Sequence, residues 1–112
     1  MFLQTHTQAI SQLEADLVTA FVDSTRILIL YALSEHPHNV TELTTELDIP
    51  QPKISRHLKV LRDHGLVRTT RHGVSILYAL ADDRLIDALN ILRVVLHDQL
   101  AYKANMVSEL SE

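Results

Sequence analysis

Residues Val40–Ala81 read VTELTTELDIPQPKISRHLKVLRDHGLVRTTRHGVSILYALA, and the punctuation of this stretch decides the fold. Asn39, just before it, is followed three residues later by Glu42, the spacing of a capping box. A short helix over Val40–Leu47 is therefore expected. Asp48-Ile49-Pro50 makes a tight turn, and Pro52 stands in the first turn of the next helix, where its missing N–H costs nothing. That helix sends Ile54, Leu58 and Leu61 inward and stops at Gly65, a residue suited to a left-handed cap. Two short β stretches follow, Leu66–Thr70 and Val74–Leu80, joined by Arg71-His72-Gly73 with Gly73 free to take positive φ. In the second, Val74, Ile76, Tyr78 and Leu80 alternate with Ser75, Leu77 and Ala79, the pattern of a half-buried strand. Helix, tight turn, helix and two-stranded ribbon together make a winged helix-turn-helix.

The flanks are helical. Upstream, Ile10, Leu13, Leu17 and Phe21 recur at helical spacing over Gln8–Val22, with Gln12, Glu14 and Asp16 off the stripe. Asp23-Ser24-Thr25 then offers cap residues to a second helix through Ile27, Leu28, Leu30 and Tyr31. Being apolar nearly all round, that helix is expected in the core. It stops near Ser34, and His36-Pro37-His38 leads on. Downstream, Asp82 and Asp83 open a long helix to about Glu109 at its favourable dipole end. Leu85, Leu89, Leu92, Leu96 and Leu100 form one stripe on it, and Ile91, Val95 and Tyr102 an adjoining one. Two stripes exceed what one small domain covers, so a homodimer seam is expected, with Leu13 and Leu17 of the first helix joining Leu85, Leu89, Leu92 and Leu96. The fold class is mainly α with a small β-hairpin wing, in the order α-α-α-α-β-β-α, as one domain over residues 1–112.

Bulk composition narrows the functions. The chain is 46% hydrophobic and 21% charged, which suits a folded domain. It contains no cysteine, which removes disulfides, thiolate metal sites and thiol redox chemistry together. No apolar run approaches the roughly 18 residues of a membrane span, and MFLQTHTQ has neither the basic patch nor the cleavage site of a secretory leader. A cytoplasmic protein with no membrane partner is expected. The net charge of −4 hides a segregation. Residues 51–73 carry Lys53, Arg56, Lys59, Arg62, Arg68 and Arg71 against the single acid Asp63, a net of +5, which leaves −9 elsewhere. A local cationic field of this kind is what meets phosphates. Catalytic signatures are missing: there is no Gly-rich phosphate loop, nucleophile elbow or metal-hydrolase spacing, and no cofactor is implied.

Over about Phe21–Ala81 the sequence resembles the ArsR/SmtB family of bacterial repressors. QPKISRHLKVLRDHGLV, the basic wing RTTRHG and the closing strand SILYAL carry the likeness, with FVDSTRILILYAL upstream. Ser24 stands where that family usually has proline, and Pro50 where it commonly has a serine or threonine cap. The resemblance implies a repressor that binds double-stranded DNA at a palindromic operator. Physically, the helix opening near Gln51 fits the major groove. Gln51, Lys53, Ser55 and Arg56 are then placed to reach base edges, with His57 expected on the same exposed side. Gln suits adenine and Arg suits guanine. Lys59 and Arg62, farther along, suit phosphates, and Arg68, Arg71 and His72 on the wing suit the backbone or the adjacent minor groove.

Relatives of this kind often sense metals, and the resemblance tests both of their usual sites. The Cys-x-Cys pair of the third helix falls on Asn39 and Thr41, which provide no sulfur for soft ions. Placing His97 on the second histidine of the last-helix site puts Arg84, Ile86 and Leu100 on its other positions. A frame through Asp87 and Asp98 leaves Leu85 and Ala101. No metal is expected at either. Seven histidines remain, His6, His36, His38, His57, His64, His72 and His97, of which His36 and His38 are the candidate chelating pair. The sequence names no inducer. Two rival readings stand beside the repressor: a histidine-based metal-responsive regulator, and a winged helix kept for protein contact alone. The second has no use for Lys53, Arg56, Arg68 and Arg71, all of which are present.

Overall fold

Asp23 is the cap of the second helix. Its extended backbone lets the carboxylate accept the N–H groups of Thr25 and Arg26, at 2.8 and 3.1 Å, and so cap the second helix. The computed structural model describes the backbone of residues 2–111 and the side chains of residues 7–111. Its elements run α1 (Phe2–Thr19), α2 (Ser24–Glu35), α3 (Val40–Leu47), α4 (Gln51–Asp63), β1 (Val67–His72), β2 (Ser75–Leu80) and α5 (Arg84–Ser111). The order is the expected one. The chain divides into two compact units, 1–82 and 83–112.

Within the first unit, α2 buries Thr25, Ile29, Leu30, Ala32 and Leu33. Leu28 is 46% exposed, so α2 is not buried all round as its composition suggests. α3 has both halves of the capping box: Asn39 Oδ1 accepts the Glu42 N–H at 2.8 Å, and Glu42 Oε1 accepts the Asn39 N–H at 3.0 Å. Its end is turned by Asp48, at φ 54°. α4 begins on Pro50 with no side-chain cap; the Pro50 carbonyl instead accepts the N–H groups of Lys53 and Ile54. It ends in a Schellman motif. Gly65, at φ 72°, donates to the Arg62 carbonyl, and Leu66 donates to that of Leu61. Leu61 and Leu66 are both buried, the apolar contact that accompanies this cap. With Ile29, Leu30, Leu43, Ile54 and Leu58 they form the centre of the core, each worth about 1.5–3 kcal/mol of burial.

The wing is an antiparallel pair running from Val67↔Leu80 at its root to His72↔Ser75 at its tip. Arg71 and His72, expected in the loop, are strand residues. The connection is only Gly73-Val74, and Gly73 has φ 61°. A two-residue loop with glycine first matches strand twist, so pairing continues two residues farther than the sequence suggests. Val74 lies fully exposed at the tip rather than in the strand. A third chain segment joins the ribbon on its other side: His38 and Tyr78 exchange both backbone hydrogen bonds, at 3.0 and 2.8 Å.

α1 ends at Thr19, three residues earlier than expected. The 3₁₀-type bonds from Ala20, Phe21 and Val22 tighten the chain into the turn that Asp23 needs. From Thr7 to Thr19 its side chains are exposed, Leu13 and Leu17 included. The second unit is α5. Its first turn folds back on the Asp83 carbonyl, which accepts from Ile86 and Asp87. Leu92 and Leu96 are exposed and Leu85 is half-buried, whereas Leu89 is 6% exposed in the single chain.

Candidate nucleic-acid interface

α4 advances about 100° per residue, which separates its faces. Ile54, His57, Leu58 and Leu61 fall on one side and are buried. Gln51, Lys53, Ser55, Arg56, Lys59 and Arg62 fall elsewhere and are exposed. The structure therefore leaves four of the five expected reading residues on this helix at the surface, with the expected phosphate contacts Lys59 and Arg62 exposed beside them. Lys59 pairs with Asp63 at 3.0 Å one turn on; both are exposed, so the pair contributes little and leaves the ammonium available.

His57 corrects the sequence reading. It is 8% exposed and faces inward, because it lies three residues after Ile54 and beside Leu58, on the buried stripe. That arithmetic was available from the sequence. The ring stays soluble in the core by bonding. Arg26 Nη1, a donor only, lies 3.2 Å from His57 Nδ1, so Nδ1 accepts and the ring proton sits on Nε2. Nε2 faces Asp23 Oδ1 at 3.8 Å. Burial pushes the His57 pKa below its ordinary value; Asp23 opposes this, while Arg26, Arg56 and Lys53 add to it. Burial alone would raise Asp23. The Arg26 N–H, the charge on His57, the Thr25 N–H and the Arg26 guanidinium together bring its pKa below the ordinary value. Sequence reasoning had Asp23 as a cap but missed Arg26 as the hub.

On the wing, side chains alternate between faces. Val67, Thr69 and Arg71 share one face, and Arg68, Thr70 and His72 the other. Arg68, Arg71 and His72 are all exposed, but they do not form one cluster. Arg71 lies on the face that is buried at Val67 and has left the body by the time it reaches Arg71.

This arrangement has known counterparts. The model of the family described as bacterial regulatory protein, arsR family, matches residues 23–69, from the cap of α2 into β1. The HTH-type transcriptional repressor SmtB of Mycobacterium tuberculosis is 41% identical over 70 residues, 62% of this chain; the chain spans about half of that relative, 52%. The biofilm growth-associated repressor of Agrobacterium fabrum is 40% identical over 78 residues, covering 67% of each chain. The chain belongs to the arsR family. Its fold is also that of the homodimeric winged helix-turn-helix DNA-binding domain Mb0332 of Mycobacterium bovis, with a TM-score of 0.74 at 24% identity, covering 83% of this chain and 86% of that one.

In this arsR-family chain the candidate chelators are occupied by structure. His38 is 1% exposed; its Nδ1 donates to the His36 carbonyl at 2.7 Å and its Nε2 pairs with Glu46 at 2.6 Å. His36 stacks on that ring at 4.0 Å and directs its own Nδ1 to the Pro37 carbonyl. Asn39 is spent on the α3 cap. His97 lies 3.7 Å from Asp98, both exposed. Among the described residues no group of three or more His, Cys, Asp or Glu side chains is gathered to hold a metal; the side chain of His6 lies outside them. No single described helix is long and apolar enough to cross a membrane.

Proposed function

We propose that this chain is a cytoplasmic, homodimeric repressor whose 112 residues work as one domain to bind a palindromic DNA duplex. The supporting observation is the face of α4: Gln51, Lys53, Ser55 and Arg56 stand exposed over a buried Ile54-Leu58-Leu61 stripe that fixes their direction. In the major groove Arg56 would take guanine, Gln51 adenine, and Lys53 and Ser55 a base edge or a phosphate. Lys59 and Arg62 would hold the backbone, with Arg68, Arg71 and His72 reaching it from the wing. The charge pattern carries no catalytic role.

The dimer is supported by apolar surface left open in the single chain. Leu13 is 69% exposed on α1 and Leu92 64% on α5, with Leu17 and Leu96 beside them. Exposed apolar stripes of this extent mark interaction surfaces, and Mb0332, of the same fold, is homodimeric. Two-fold symmetry would set two reading helices about one helical turn, roughly 34 Å, apart.

Selection from a random duplex pool, followed by titration at two salt concentrations with and without zinc or nickel, tests the proposal. A palindromic winner with a steep salt slope supports it. No enrichment above background transfers the chain to the protein-contact reading. Release by either metal brings back a histidine site.

A further inference from the structure

Among its described residues, α1 meets the core at its C-terminal end. Its side chains from Thr7 to Thr19 are exposed, and the first buried residue is Ala20, in the turn beyond. At that point a single side chain joins three elements. Arg26, on the first turn of α2, donates from Nε to the Ala20 carbonyl at 2.7 Å and from Nη2 to the Thr19 carbonyl at 3.4 Å. Its Nη1 donates to His57 Nδ1, 31 residues away on α4. Thr19 carries the last carbonyl of α1, which also accepts the Val22 N–H at 3.1 Å, and Ala20 carries the first carbonyl of the turn beyond. His57 follows Arg56 directly on the helix proposed to read bases.

We propose that Arg26 is a positioning residue that sets the angle of α4 against the end of α1, and with it the spacing at which two copies of α4 meet a duplex. The inference rests on the DNA-binding reading above and on α1 contributing to the dimer. A planar guanidinium with five donors spans two carbonyls and an imidazole at once; a lysine ammonium has neither the reach nor the plane. The link to α4 requires an unprotonated Nδ1. Once His57 takes a second proton, Arg26 faces another donor and another positive charge. The groups facing the ring are Asp23 and Arg26 from α2, and Lys53 and Arg56 from its own helix. Three of these four are cations, so acid severs the link rather than reversing it.

The pH dependence has a fixed sign. Because His57 is held below its ordinary value of 6.5, the unfolded chain takes this proton first. The ring costs no stability above that value. Stability falls as pH drops from the unfolded value toward the lower folded one, and does not change further below it.

The test uses wild type, H57Q and R26Q in operator binding at constant ionic strength, in steps from about pH 8 down to the lowest pH at which each protein stays folded. Glutamine at 57 keeps an acceptor for Arg26 and cannot titrate, so comparison with it separates the buried ring from the exposed His72. The affinity of wild type relative to H57Q is expected to fall about tenfold over that range, as the ring takes its second proton, the size of one charge-assisted hydrogen bond. R26Q should bind weakly throughout that range, keep its dimer mass, and select duplexes with a broadened half-site spacing. Equal pH profiles for wild type and H57Q overturn the proposal, and so does R26Q binding with wild-type affinity and spacing. Should R26Q fail to fold, the H57Q comparison decides alone. A wild type that binds no duplex anywhere in that range instead sinks the DNA-binding reading, and the positioning role with it.

Discussion

The two helices of the helix-turn-helix are held in opposite ways. α3 is closed at its start by its own side chains, Asn39 and Glu42, and needs only eight residues. α4 has no side-chain cap on Pro50, and what fixes it is the burial of its own Ile54, Leu58 and Leu61 together with the Arg26–His57 bond. A locally capped helix keeps its place when neighbours shift. A helix held by long-range contacts moves with them, which suits the element proposed to read DNA.

Mutations sharpen this contrast, beginning with the largest effect. Leu58→Ala empties a fully buried site and should cost about 2–5 kcal/mol of unfolding free energy in urea titration. A loss below about 1 kcal/mol would mean that α4 is not held by its core face. Arg56→Ala should leave stability unchanged but weaken specific binding by about 1–3 kcal/mol and relax base preference at one position, read by competition against substituted operators. Arg71→Ala should weaken binding to all sequences and flatten the salt slope by about one unit. Asn39→Ala removes half of the α3 cap and should cost about 1 kcal/mol in thermal unfolding. If it instead abolishes operator binding without unfolding the protein, α3 is not the independent element described here. Smallest is Lys59→Ala, which breaks only the exposed pair with Asp63 and should move stability by less than about 0.5 kcal/mol.

Local chemistry was legible in the sequence, and chemistry between distant segments was not. The Asn39–Glu42 box, the turn at Asp48-Ile49-Pro50 and the Gly65 stop each lie within a few residues of their partners, and each forms as read. Boundaries set by competition were less clear. The apolar period of α1 runs on to Phe21, but the need for an extended Asp23 ends the helix at Thr19. At the candidate site, position near the start of α4 and side-chain chemistry picked out Gln51, Lys53, Ser55 and Arg56, which the structure leaves exposed. His57 was misread because its residue type outweighed its place beside Leu58. Arg26 was not seen as a hub at all, since nothing near it in sequence marks a partner 31 residues away. The same holds for His38, whose partners Tyr78 and Glu46 come from a strand and a helix that only the fold brings together.

The extra rung that His38 adds at Tyr78 makes the wing a cantilever. Its root is clamped by the Val67–Leu80 pair and the Leu66–Ala81 bond, and again where His38 grips Tyr78 opposite Thr69. Arg68 sits inboard of that second clamp. Arg71 and His72 sit outboard, on the overhang that ends at Gly73-Val74, where every residue from Thr70 to Val74 is exposed. One ribbon thus carries one cation inside the second clamp and others beyond it, so that, on the proposed DNA-binding reading, the inner one would set the register and the outer ones would have room to follow the groove.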